Sequence, residues 1–473
     1  MIRVYLDKQI FSYLKKGDEP KYQKLLADLH QYKSSFLYCY SHAHMLDLKN
    51  DATDLKYDDL AFMETLVDDN YLSYHAMEKR TSCYLAKPLE AFEGIQKDDT
   101  PISFSNLFDL DLSFATEEQR KQITKAKDIF YNQQFDFGFS KIQKLPPELE
   151  KPLSKVLPIG VSKMSLMDWA EHFMTMLKSI EEDKTIYKGL RNVVDKYINN
   201  GKFTVDFNNI DFNDDLKNSV LKKSFIEYIN GNLNPNGNKK VTDYEFFNQA
   251  YFTLDLLGIS KEKSKKVKFR NVLNDGFHSY YGAFCDYVVS NDEGFLKKSK
   301  ALYKLLNIQT QVLHIDEFAQ SINLLGSNDQ HDSQTFFRLL TNDLSSGLVL
   351  GSKPSLSSDR VTTKIKPYHN YLGYFNKLVV IKENNQDYLL LSRQTQNYSY
   401  FYFYREIEGI VNKAVKLFGA DFNFKENYNW TVENNEINED EWTGRYWKFG
   451  TFDLVLEINK GTHDLTLMIT PNK

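Results

Sequence analysis

The first fifty residues alternate between short unbroken apolar runs and longer stretches with helical spacing. Residues 2 to 6 are a compact apolar run that predicts a strand ending on Asp7. Between Ile10 and about Tyr32 the apolar positions Ile10, Tyr13, Leu14, Leu25, Leu26 and Leu29 suit two short helices, divided near Gly17-Asp18-Glu19-Pro20. Phe36-Leu37-Tyr38-Cys39-Tyr40 predicts a second buried strand. Ser41 then supplies an N-cap for a helix through His42, His44, Met45, Asp47 and Leu48. Strand, helix, strand, helix is the opening of a parallel α/β layer.

From residue 56 to 264 the pattern turns mainly helical, clearest over Glu117 to Asn132 and over Ser165 to Ile198, where Leu166, Trp169, Phe173, Leu177 and Ile180 recur at steps of three and four. The α/β pattern returns after Val267. Asp275 reads as the opening of a helix, followed by a strand Tyr287–Ser290, a helix over Glu293 to Leu306 and a strand Gln311–His314. One sheet interrupted by a long insertion is the simplest account. Leu344 to Thr363 is rich in Ser and Gly and reads as a loop or linker, after which Lys377–Ile381 and Tyr388–Ser392 flank a hairpin signature. An amphipathic helix over Glu406 to Phe418 and strands at Trp447–Phe449, Phe452–Ile458 and Leu465–Thr470 complete an α+β region. The expected organisation is therefore an α/β domain split between residues 1–55 and 265–325, a helical insertion over 56–264, and an α+β accessory domain over 330–473.

A 42% hydrophobic and 26% charged composition is that of a globular chain. The net charge of -5 gives no bulk attraction to polyanions, so nucleic-acid contact must come from local basic patches. Three dispersed cysteines, Cys39, Cys83 and Cys285, exclude a cysteine-only zinc site and suit a reducing compartment. With neither a signal-peptide pattern nor an apolar run long enough to span a bilayer, the expectation is a cytoplasmic protein without a membrane partner.

The candidate chemistry is carried by acids. In parallel α/β sheets ligands sit outside the carboxyl ends of strands. Asp7 follows the first strand and Asp292 lies just beyond Ser290; Asp275 heads a helix and Asp47 lies on the Ser41-capped one. Four converging carboxylates would repel one another unless a divalent cation neutralised them, and Mg²⁺ or Mn²⁺ prefers such hard oxygen ligands. His42 and His44 lie at i and i+2 and point in different directions, so a structural or orienting role is expected for His44. His278 is expected to pack, and Asp286, at the far end of the intervening helix, to cap. Lys261, Lys263, Lys265, Lys266, Lys268 and Arg270 form a basic run that reads equally as a solvated face and as a track for RNA phosphates. The aromatic run Tyr398 to Tyr404 and Trp430, Trp442 and Trp447 are expected to pack rather than stack bases.

Val4-Tyr5-Leu6-Asp7, Ser41 to Leu48, Asp275 to Asp292 and Val312 to Phe318 together resemble a PIN-domain ribonuclease of the PIN-like superfamily. The resemblance covers about a quarter of the chain. It implies a PIN-like parallel sheet with flanking helices and metal-dependent hydrolysis of RNA phosphodiesters. It implies catalytic, metal-binding roles for Asp7, Asp47, Asp275 and Asp292, with Ser290 orienting the last acid; apart from the resemblance, Lys265, Lys266, Lys268 and Arg270 of the basic run are the residues expected on the substrate. Asp47 stands where that family more often has Glu. A toxin or defence ribonuclease is the expected setting; the resemblance explains nothing in residues 330–473, where a protein partner or antitoxin is expected to engage the C-terminal domain. The competing readings are a non-catalytic RNA- or protein-binding module on the same scaffold and a DNA-directed nuclease.

Overall fold

A computed structural model describes residues 1–97, 116–136, 154, 157–199, 204–205, 211–258, 269–327, 330, 332–354, 359–383, 386–394, 403–459 and 464–472. The fold is mixed α/β, with one largely parallel sheet, one antiparallel sheet and many helices. Two compact units divide it: residues 1–92 with 278–473, and residues 93–277.

In the first unit, β1 (Ile2–Leu6), β2 (Phe36–Ser41), β3 (Asn70–His75), β4 (Arg80–Leu85), β5 (Tyr287–Ser290) and β6 (Gln311–His314) form a sheet in the order β4-β3-β2-β1-β5-β6. All neighbours are parallel except β3 and β4. Val4, Tyr5 and Leu6 are buried, as is every residue of β2, which is why these segments read as continuous apolar runs: both faces of a parallel sheet are covered. The helix break lies where it was expected, with helices Lys8–Lys16 and Pro20–Gln31 separated by Gly17 in the left-handed region.

Three of the elements expected from the sequence differ in the structure. The sheet does not pause at residue 55, since β3 and β4 extend it and the unit runs to Phe92; their half-buried, polar-rich sequences lack the apolar run that marks β1 and β2. Asp275 does not open a helix: the helix is Phe269–Gly282, and Asp275 sits near its middle because no breaker precedes it. Leu344 to Thr363 is not a loop but the end of a helix followed by β7 (Leu348–Pro354) and β8 (Val361–Lys366). β7 is exposed along its whole length, so no alternation of apolar and polar positions betrays it.

The antiparallel sheet continues with β9 (Lys377–Glu383), β10 (Gln386–Ser392), β11 (Arg445–Phe449), β12 (Phe452–Ile458) and β13 (Leu465–Pro471), in the order β11-β12-β13-β10-β9-β8-β7. Ile407, Ile410, Val411 and Ala414 of the Tyr404–Phe418 helix pack on its inner face with Trp447, Leu454 and Leu467. This layer and the parallel sheet form one unit, so residue 330 is no boundary between compact bodies. A buried charge cluster lies in that unit. Arg3 of β1 donates to both oxygens of Glu406, at 2.7 and 2.6 Å, with both side chains at most 1% exposed. Arg393 grips both oxygens of Asp286 at 2.7 and 2.6 Å.

The second unit is helical where described. Helices Leu166–Glu182 and Lys184–Val194 break at Asp183, which caps the second through the Thr185 N–H. Ile180, Ile186, Tyr187 and Val272 form a small core, and buried Asp255 accepts from the Tyr187 hydroxyl at 2.6 Å.

Candidate active site

The chain runs from β1 outward through β2 and β3, then returns to place β5 on the other side of β1, so the strand order reverses between β1 and β5. A crevice outside the carboxyl ends of strands at such a reversal is where open α/β sheets bind ligands. Asp7 leaves β1 at that point, its N–H donating to Val289 O at 3.0 Å, and Asp292 follows β5.

Asp7 occupies the N-cap position of the Lys8–Lys16 helix, where aspartate normally accepts from the first-turn N–H groups, yet its side chain makes no capping bond. It accepts instead from Ser290 Oγ at 2.7 Å and is 8% exposed. Ser290 Oγ in turn accepts from the Asp292 N–H at 3.1 Å, so one hydroxyl ties the two acidic segments together. Asp292 does cap its helix, through the Phe295 N–H at 2.9 Å. Burial pushes the Asp7 carboxyl above the ordinary carboxylate range; His278 and the Ser290 hydrogen bond oppose this, while the charges of Asp47 and Asp292 add to it. The neighbouring carboxylates of Asp47 and Asp292 are thus close enough to add to the resistance of Asp7 to ionisation.

Asp47 accepts from His278 Nε2 at 3.0 Å. Burial alone would raise its pKa, but the hydrogen bond and charge of His278 prevail, with help from Lys8 and His44, and hold it below the ordinary value. His278 is 2% exposed, and its Nδ1 lies 2.7 Å from the Tyr5 hydroxyl. That hydroxyl also lies 2.6 Å from Ser41 Oγ. His44 completes the group: its Nδ1 accepts from the Ser41 N–H at 3.1 Å and its Nε2 donates to Leu6 O at 2.8 Å. Burial, with His278 adding, takes its pKa down to about 3, so the ring is neutral. His44 therefore orients, clasping the end of β1 to the start of the His42–Lys49 helix. His42 lies apart, its Nδ1 3.5 Å from the Tyr71 hydroxyl.

Among the described residues, no group of three or more His, Cys, Asp or Glu stands ready to hold a metal ion. The donor chemistry of Asp7 and Asp292 nonetheless fits magnesium, which keeps several waters and takes one or two carboxylates from a protein. Asp275 belongs to the second unit. Arg270, also there, is paired with Glu181 at 2.6 Å, while Lys265, Lys266 and Lys268 lie outside the described residues. Asp286 is no cap: it holds Arg393 and the Arg3 N–H. Tyr398 lies outside the described residues, and the three indoles are engaged internally, Trp430 with Glu408, Trp442 with Glu433 and Trp447 with Gly419 O.

No protein-family model, curated protein or solved structure matches this chain. Its function must be read from its own residues. Sequence reasoning missed Tyr5, the hub of the buried polar group. Its one available signal was a tyrosine inside a strand too short and apolar to face water, whose hydroxyl must find a partner.

Proposed function

We propose that this protein is a metal-dependent nuclease of PIN-like type, cutting RNA phosphodiesters in the crevice outside β1 and β5. The observation that carries the reading is Asp7, a nearly buried carboxylate at an N-cap position that forgoes its cap and joins Ser290, beside Asp292 and Asp47. The charges of Asp47 and Asp292 oppose ionisation of Asp7 at a strand-order reversal, and a cation there would relieve that opposition. Asp7 and Asp292 would hold Mg²⁺ or Mn²⁺, with Asp47 as the third acid. The cation would supply charge for the phosphate oxygens and lower the pKa of the attacking water. Ser290 fixes the Asp7 carboxylate, His278 fixes Asp47, and Tyr5 fixes His278. Labelled RNA and DNA incubated side by side with magnesium, with and without chelator, test the reading. RNA cleavage that stops on chelation is expected; cleavage of neither polymer, or indifference to chelator, overturns it.

A second reading, a scaffold that binds RNA or protein without cutting, is favoured by the absence of a ready three-ligand group among the described residues and by the capture of Asp47 by His278. RNA retained on the protein without cleavage at any divalent metal concentration would select it.

A further inference from the structure

At the opposite, amino end of β1 and β2 lies a cleft of about 530 Å³, walled by Ser34, Ser35 and Tyr38 on one side and by Asn412, Lys413 and Lys416 of the Tyr404–Phe418 helix on the other. Lys33, Arg405, Lys413 and Lys416 line it, against the two acids Asp68 and Glu408. Both acids are taken: Lys33 pairs with Asp68 at 2.8 Å, and Arg405 pairs with Glu408 at 3.1 Å and with Asp69 at 2.6 Å. Among the described residues no acid is left for Lys413 and Lys416, which at i and i+3 share one face of the helix.

Lys413 is held where solvent serves it poorly. Its Nζ donates to Leu372 O at 3.3 Å. That carbonyl belongs to a tight turn in which Leu372 (φ 53°) and Gly373 (φ 69°) are both left-handed and the Tyr374 N–H donates to Tyr371 O at 2.9 Å. Gln330 Oε1 fixes the turn by accepting from the Leu372 N–H at 2.9 Å. A side chain at Gly373 would meet Lys413 Nζ, so the turn and the amine are fitted to each other. Burial lowers the Lys413 pKa to about 8. A cation taken from water without a counter-charge is destabilising, and an anion in the cleft reverses that cost.

We propose that this cleft binds a small phosphate-bearing organic anion, its phosphate on Lys413 and Lys416 and its body against Tyr38, Leu372 and Leu417. The volume is that of a small-molecule site, and its mixed lining of apolar side chains and a few convergent polar groups is what such sites present. The site is independent of the acid crevice, which lies at the other end of the strands.

The test is calorimetric titration of the full chain in metal-free buffer with inorganic pyrophosphate and with ADP as probes, alongside Lys413→Met, which keeps the apolar stem, and Lys416→Glu, which alters an exposed position. Binding of ADP with a Kd below about 1 mM is expected, weakened at least about tenfold by each substitution. Weaker binding of pyrophosphate than of ADP is expected, because the organic body contributes; pyrophosphate binding equally well would overturn the placement of an organic body in the cleft. No heat from either probe, or wild-type affinity in Lys416→Glu, overturns the site.

Discussion

Replacing Glu406 by Gln removes one charge from a fully buried ionic group of the first unit. In the wild type its carboxylate takes two hydrogen bonds from Arg3, a third from Arg393 Nη1 at 3.3 Å and a fourth from the Phe403 N–H at 2.9 Å. Burial would push this carboxyl up, but Arg3, with Arg393 behind it, outweighs burial and holds it down from 4.5 to about 2. At about 1.4 kcal/mol per tenfold change in proton affinity, that depression contributes about 3 kcal/mol at neutral pH. Removing one partner of a buried pair and leaving its guanidinium uncompensated costs a comparable amount, roughly 3 to 5 kcal/mol. Because the folded pKa is depressed, the contribution is fully present above 4.5 and is lost as pH falls through about 2. Urea unfolding of wild type and Glu406→Gln should therefore differ by about 3 kcal/mol at pH 7, a midpoint shift of at most about 1 M for a unit of this size. The difference should shrink steadily below pH 4.5. Arg3 lies in the parallel sheet and Glu406 on the helix of the antiparallel layer, so far- and near-ultraviolet signals of the first unit should move together. A difference under about 1 kcal/mol, or one that does not change between pH 5 and pH 2.5, would refute this reasoning.

Other substitutions address the crevice. Asp7→Asn keeps an acceptor for Ser290 Oγ and removes the repelled charge. The folded pKa of Asp7 is raised, so the stability tied to this group is present at low pH and lost as pH rises through the folded value. In metal-free buffer the variant should melt higher than wild type at pH 7.5 and level with it near pH 3, while RNA cleavage is abolished; equal melting at both pH values would refute this. Tyr5→Phe strips the hydroxyl between Ser41 and His278 and should cost about 1 to 3 kcal/mol in urea unfolding, together with slower cleavage, and wild-type stability would exclude the buried network. Gly282→Ala places a methyl against the Val288 side chain and should cost about 1 to 3 kcal/mol by overpacking; an unchanged unfolding midpoint would contradict that packing.

What the sequence discloses follows burial. β1, β2 and β5 are legible because a parallel strand covered on both faces is largely apolar, whereas β6, an edge strand with Gln311 exposed, shows only through Val312 and Leu313. Each is closed by a polar residue, namely Asp7, Ser41, Asp292 and His314, and the last three cap the helices that follow. β7 was hidden for the opposite reason, since an exposed edge strand of Leu, Gly, Ser and Lys carries no pattern that a loop lacks. Asp275 was misplaced because an aspartate before an aromatic run looks like a cap, although Val272 already packs helically in front of it. The links that organise the crevice were beyond local reading. His278 reaches back 231 positions to Asp47 and 273 to Tyr5, and only the return of β5 alongside β1 makes those distances short. Asp7 and Asp292 were legible as strand-end acids, but that Ser290 joins them was visible only as a small hydroxyl before the last acid.

The most direct test is a calorimetric titration of Mn²⁺ into the wild type, Asp7→Asn and Asp292→Asn under identical conditions. Saturable binding is expected in the wild type, weakened at least about tenfold by either substitution, with Glu406→Gln binding as the wild type does at temperatures where it is folded. Absence of binding in the wild type, or equal affinity in the wild type and both aspartate variants, would contradict the claim that the acids outside β1 and β5 hold a divalent cation.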